Sequence, residues 1–161
     1  MARAKFCFLD AKQAEAVLPQ MFDILFTNMN KIAPTGNSYD EDKATWLSFM
    51  YPSVNKGPQQ IILMYVDEAL AGYFQYSIDG NTLFAEDIEI SPDYQRTFLF
   101  SLFFRYLMKI IPKNIEYIKA NIHKNNLNSQ TIAGKLGMRI VGENKNKISW
   151  QLIGPVDKFK K

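Results

Sequence analysis

At 161 residues the chain has the length of one domain. With 47% hydrophobic and 22% charged residues, and 12 Phe and 8 Tyr, its composition is globular and excludes disorder, collagen-like repeats and coiled coil. One cysteine, Cys7, excludes an intrachain disulfide framework and a multi-cysteine metal site; one histidine, His123, leaves too few ligands for a zinc enzyme, so no metal is expected.

The amino-terminal Met-Ala-Arg-Ala-Lys-Phe lacks the long apolar core of a signal peptide. The greasiest stretch, Phe98 to Ile111, is broken by Ser101, Arg105 and Lys109. That falls well short of the roughly 20 apolar residues needed to cross a bilayer. A cytoplasmic protein with no membrane association is the expectation. Charge is uneven: residues 1–80 carry 6 basic and 9 acidic side chains, residues 81–161 carry 13 and 7. A basic second half suits an anionic ligand such as a nucleotide cofactor, although a solvated surface accounts for it too. No nucleic acid is expected, because the interleaved aromatic and basic motif of an RNA binder is missing.

In chain order, Ala4–Leu9 reads as a first strand and Asp10 as the N-cap of a helix from Ala11 to about Lys31, with apolar residues at helical spacing. Pro34 to Asn37 makes a loop. A second helix is predicted from Asp40 to about Met50, stopped by Pro52. Gln60–Val66, Leu70–Ile78 and Thr82–Ile90 are strands joined by turns at Asp67-Glu68 and Asp79-Gly80-Asn81, an antiparallel meander. Phe98–Ile111 is a helix with one narrow polar stripe, Thr97, Ser101, Arg105 and Lys109, hence buried on several sides. Ile115–His123 is a strand, Asn128–Leu136 a short helix closed by Gly137, and Met138–Ile153 a last strand or hairpin. The sequence divides into a single domain over residues 1–155 and a charged carboxy-terminal tail over 156–161.

Three segments carry a resemblance. They are Asp67-Glu68-Ala69-Leu70-Ala71-Gly72-Tyr73-Phe74, then Ile88-Glu89-Ile90-Ser91-Pro92-Asp93-Tyr94-Gln95-Arg96, then Ile122, Asn126 and Lys135-Leu136-Gly137-Met138. In this order and spacing they resemble the GCN5-related N-acetyltransferase (GNAT) superfamily over roughly residues 60–143. The resemblance implies an α+β fold: a mixed, mostly antiparallel sheet splayed between its fourth and fifth strands and flanked by about four helices. It also implies acetyl-CoA or another acyl-CoA as co-substrate, and a small-molecule or peptide amine as acceptor, with a homodimer as a further expectation.

By the same resemblance the backbone of Ile88, Glu89 and Ile90 meets the cofactor. The loop Gln95-Arg96-Thr97-Phe98-Leu99-Phe100 binds its pyrophosphate at a helix start, where free amides and the helix dipole attract anions, and Asn126 reaches its pantetheine arm. The loop departs from the family pattern by placing Phe98 and Phe100 at small-residue positions. Ala133 stands where many members have a Tyr general acid, leaving Tyr94 and Tyr117 as fallback candidates for that role. Transfer to an amine needs a proton acceptor, and Glu86 and Asp87 are the candidate bases. Strand alternation puts Glu86 on one face, with Asp87 and Glu89 on the other. An acidic solvated strand face is the competing explanation. Two readings stay open: an acyl-CoA-dependent N-acyltransferase, or a non-catalytic binding module of the same fold.

Overall fold

The computed structural model describes residues 3–159; residues 1, 2, 160 and 161, which fall in the expected domain and tail, lie outside them. In chain order the elements are β1 (Ala4–Phe8), α1 (Ala14–Met29), α2 (Tyr39–Lys56), β2 (Gln60–Val66), β3 (Ala69–Asp79), β4 (Thr82–Ile90), α3 (Leu99–Ile110), β5 (Tyr117–His123), α4 (Leu127–Lys135), β6 (Arg139–Glu143) and β7 (Ser149–Pro155). Short 3-10 turns follow β4 (Pro92–Tyr94) and β7 (Val156–Phe159).

The seven strands form one sheet in the order β1-β2-β3-β4-β5-β7-β6. Every neighbouring pair is antiparallel except β4 with β5. The expected meander is present, its first turn made by Asp67 and Glu68, both at positive φ (47° and 69°). Two successive positive-φ residues match the right-handed twist of a two-residue hairpin.

Two helix boundaries differ from the sequence reading. Asp10 does not cap α1 itself; its carboxylate accepts the Gln13 amide at 2.9 Å, and the helix begins one turn later. In α2, Pro52 lies inside the helix rather than ending it, and Gly57 closes it with its amide on the Ser53 carbonyl at 3.1 Å. Tyr51 and Val54 pack against the buried cluster beneath α2, which holds the last turn in place despite the proline. Its start carries a legible signal: Ser38 and Glu41 form a reciprocal capping box.

The sheet is covered on both faces, so β2 is apolar along both. Ile61 and Leu63 lie under α1 and α2 with Leu18, Met21 and Met50, while Ile62 and Met64 face α3 with Phe103 and Leu107. As its polar stripe predicts, α3 turns Ser101, Arg105 and Lys109 outward and buries Leu99, Phe103 and Leu107. Val156, placed by the sequence reading in the tail, is buried at 1% exposure in the core under α3.

The sheet opens at one place. β4 and β5 pair only from Thr82 with Tyr117 to Ala85 with Ala120. Beyond that point β4 stays with β3 as far as Ile90, and β5 stays with β7 as far as His123. The divergence begins at a bulge in β4, where Gln75 faces Asp87 and Tyr76 faces Ala85, leaving Glu86 as the extra residue. A bulge bends its strand and increases its twist. On the far side of the bulge, Gly72 lets β3 approach β4 closely, since a Cβ there would lie 2.4 Å from the Glu89 carbonyl oxygen. Gly72→Ala is therefore expected to destabilise the fold by roughly 1–3 kcal/mol through overpacking. Gly134→Ala, in open space on α4, is expected to stabilise it by about 0.5–1 kcal/mol; urea unfolding of the two variants checks the opposite signs.

Candidate active site

The bulge decides which way the acidic residues of β4 point. Ala85 and Ile88 both pack toward α3, so the alternation expected between Glu86 and Asp87 does not hold. Glu86 is exposed and accepts from Gln59 at 3.1 Å and from Ser77 at 3.4 Å. Gln59 is also the partner of Gln75, which stands opposite Asp87. Glu86 thus joins Asp87 and Glu89 on the α1 face, because one inserted residue shifts the alternation by one step.

Asp87 and Glu89, two residues apart on that face, hydrogen-bond each other. Asp87 also accepts from the Tyr73 hydroxyl at 2.6 Å and from the Ile88 amide. Burial pushes the Asp87 carboxyl up to about 6 and, with the Asp87 charge beside it, the Glu89 carboxyl up to about 9. Between those values the pair holds one proton, shared by two groups that cannot both ionise cheaply. Tyr73 is buried, and its phenol is raised well above its ordinary value by that burial, so it stays a neutral donor.

Asn28, near the end of α1, joins this pair to the cofactor loop. Its amide donates to Glu89 Oε2 at 2.7 Å and to the Ile90 carbonyl at 2.9 Å. Its own oxygen accepts from Gln95 at 3.1 Å, and Gln95 also donates to the Ile90 carbonyl at 2.9 Å. The sequence reading missed Asn28; a polar residue on an otherwise apolar helical stripe is the signal that marks it.

The Ser91 amide donates to the Ala71 carbonyl at 2.8 Å, which sets the phase of the ladder. By alternation the amides of Ile88 and Ile90 face the opening between β4 and β5, while that of Glu89 faces β3. Glu89, expected among the cofactor residues through its backbone, is 8% exposed and is placed as the partner of Asp87.

The loop that follows brings Arg96, Thr97, Phe98, Leu99 and Phe100 to the start of α3. Arg96 is exposed and sits at φ 63°, a left-handed conformation that costs a non-glycine residue on the order of 1 kcal/mol. The Thr97 hydroxyl caps the Leu99 amide at 3.2 Å and donates to the Tyr94 carbonyl at 2.6 Å. The first intrahelical bond runs from Leu102 to the Phe98 carbonyl, so the amides of Phe100 and Ser101 precede the ladder. Phe98 is 54% exposed. Phe100 stacks edge-on against Phe104 with centroids 4.6 Å apart. Gln95, expected at the pyrophosphate, turns its side chain inward to Asn28.

Across the opening, Asn126 is the N-cap of α4, its oxygen accepting the Ser129 amide at 3.1 Å. His123 accepts the Asn125 amide on Nδ1 at 3.1 Å. Tyr117 lies opposite Thr82, at the closed end of the β4–β5 pair. Ala133 is buried. Between α1 and α2 lies a groove of about 500 Å³ lined mainly by apolar and aromatic side chains, among them Phe22, Phe26, Trp46 and Phe49.

The raised carboxyls make stability pH-dependent with a definite sign. Their native forms hold protons more tightly than the unfolded chain does. Their stabilising contribution is complete below their ordinary values of 3.8 and 4.5, and is lost as pH rises through about 6 and about 9. The melting temperature is expected to fall from pH 5 to pH 9, and Glu89→Gln to flatten that slope above pH 6; a slope that the substitution leaves unchanged rules out the pair as its source.

No protein-family model matches the sequence, and no curated protein matches it. Solved structures do match its fold. The PaiA N-acetyltransferase of Thermoplasma acidophilum, in complex with coenzyme A, superposes with a TM-score of 0.73 at 13% identity, over 95% of this chain and 99% of its own. An acetyltransferase from Thermus thermophilus gives 0.73 at 12% identity, over 94% and 96%. A GNAT-family acetyltransferase from Staphylococcus aureus gives 0.68 at 12%, over 96% and 99%. With a seven-stranded mixed sheet, four helices and an opening between β4 and β5 among the described residues, the chain has the fold of the GCN5-related N-acetyltransferases.

Proposed function

We propose that the protein is an acyl-CoA-dependent N-acyltransferase that moves an acyl group, acetyl in the first instance, onto a small-molecule or peptide amine by direct attack. One observation carries the reading. The parallel β4–β5 pair opens after four residue pairs, and a half-buried carboxyl, Asp87, stands at the open edge of β4 near the Ile90 amide, which faces the gap.

The residues present fit an acyl-CoA. The gap beyond Ala85 and Ala120 offers two strand edges to a thin amide-bearing arm, with the Asn126 NH₂ group on its far side. The amides of Phe100 and Ser101 at the start of α3, with Arg96 beside them, suit a pyrophosphate. Bound there, the co-substrate would supply an activated acyl thioester. The Ile90 amide supports charge on the acyl oxygen. The singly protonated Asp87–Glu89 pair accepts the proton that the attacking amine gives up, with an acceptor strength near the Asp87 value of about 6. Tyr73 and Asn28 hold the two carboxyls in place and are positioning residues. Glu86, a sequence candidate for the base, is exposed and tied to Gln59 and Ser77, and the role passes to the pair.

A second reading, a binding module without acyl chemistry, draws support from the buried Ala133, from the Leu99 amide already capped by Thr97, and from the inward turn of Gln95. Calorimetric titration with acetyl-CoA and with CoA separates the two. Micromolar binding is expected, and absence of both heat and thermal shift would leave the module. With an amine acceptor in hand, kcat/KM is expected to rise with pH through about 6 as the pair loses its first proton. Asp87→Asn is expected to lower kcat by about 10²–10⁴-fold, whereas Glu86→Gln leaves it unchanged.

A further inference from the structure

We infer that Gln95 is a positioning residue for the Asp87–Glu89 proton acceptor, acting through Asn28, and not a ligand of the cofactor pyrophosphate. Its hold on the carboxyl pair is a matter of hydrogen bonds within the chain; that the pair accepts a proton from an amine rests on the acyltransferase reading. Gln95 closes the 3-10 turn Pro92–Tyr94 and immediately precedes Arg96. Its backbone belongs to the loop in front of α3, but its side chain turns to α1 and meets Asn28.

The contacts form a closed set. A primary amide has two donor hydrogens, and a carbonyl oxygen has two lone pairs. Gln95 commits both hydrogens, to Asn28 Oδ1 at 3.1 Å and to the Ile90 carbonyl at 2.9 Å. Asn28 commits both of its own, to Glu89 Oε2 at 2.7 Å and to the same Ile90 carbonyl at 2.9 Å. One orientation of each amide satisfies every partner. A turned Asn28 would set its oxygen against the Ile90 carbonyl oxygen and its NH₂ group against that of Gln95. Gln95 therefore helps to fix which end of Asn28 meets Glu89. Acceptance at Asn28 Oδ1 also strengthens donation from the Asn28 NH₂ group, because hydrogen bonds in a chain polarise one another.

A donor on a carboxyl group favours its charged form. The Asn28 bond draws Glu89 down, against the burial and the Asp87 charge that raise it to about 9. Asp87 accepts from Tyr73 on β3 and from the Ile88 amide, and feels the charge of Glu86 on its own strand. From α1 the pair meets Asn28, and Gln95 reaches it by way of that residue. On the cofactor side the Gln95 side chain has no donor left for an anion, whereas Arg96 and the amides of Phe100 and Ser101 are placed for one. Gln95 is exposed, so replacing it leaves the core untouched.

The test is a carboxyl-carbon NMR titration of the full chain without any CoA species, followed through both steps of the pair. Gln95→Met keeps the length of the side chain and removes both donors; Gln95→Glu keeps the shape, can only accept, and brings a charge. Gln95→Met is expected to move the upper step up by about half a pH unit or more, and Gln95→Glu to move both steps up. In an Asn28→Ala background Gln95→Met is expected to move neither step further, because its effect runs through Asn28. Calorimetry supplies the second arm: Gln95→Met is expected to bind acetyl-CoA within about threefold of the unchanged chain. Melting curves confirm that the variants fold. An unmoved titration in folded Gln95→Met overturns the inference. So does an equal shift with and without Asn28, or a loss of acetyl-CoA affinity of about tenfold or more. If the unchanged chain binds no acetyl-CoA, the transferase reading falls and the titration decides whether Gln95 governs the pair. Acetyl-CoA binding with an unmoved titration keeps the transferase and removes the role of Gln95.

Discussion

One extra residue in β4 organises the functional half of this molecule. Where Gln75 and Tyr76 pass Asp87 and Ala85, Glu86 has no partner in the ladder. The strand bends there, its contact with β5 ends at Ala85, and its side chains change phase. The first consequence is a gap bordered by strand edges whose amides are not consumed by the sheet. The second is that Asp87 and Glu89 turn under α1, where water is scarce, while Ala85 and Ile88 remain packed toward α3. A regular strand would have kept β4 and β5 together and left the carboxyls of Glu86 and Asp87 on opposite faces.

Burying two carboxyls side by side is expensive unless one keeps a proton. The surroundings show how the cost is met. Tyr73 donates to Asp87, Asn28 donates to Glu89, and the two carboxyls share a hydrogen bond. What results is a single negative charge with a neutral acid beside it, held at the edge of the gap. That is the arrangement a proton acceptor needs at neutral pH, since its strength lies close to the ambient value. The Asn28 amide also ties the pair to Gln95 and the Ile90 carbonyl. The end of α1, the carboxyl pair and the loop before α3 therefore share one hydrogen-bond network. A shift in any one of them is felt by the others.

The α1–α2 layer has two faces with different tasks. One packs Leu18 and Met21 against the sheet and presents Asn28 to β4. The other leaves rings and one carboxylate around an open groove.

Most of the framework is legible in the sequence. Hydrophobic period, turn residues and the three segments around Gly72, Ile88-Glu89-Ile90 and Leu136-Gly137 determine the meander, the buried α3 and the GNAT-like order of elements, because each depends on residues near one another in the chain. The bounds of β2 and β4 are read correctly for the same reason. Pro52 misleads, because local propensity ends a helix that the packing of Tyr51 and Val54 carries on. Glu86 misleads more instructively. A bulge is a mismatch between two strands and has no signature in either one alone, so alternation assigns the wrong face. Asn28 lies 61 residues from Glu89, and Asp42 meets the groove only once α2 docks on α1. Which elements form, and which residue types they carry, follows from local sequence; which carboxyls are buried together and what holds their proton follows from the packed fold, because desolvation and charge coupling act through space between residues far apart in the chain.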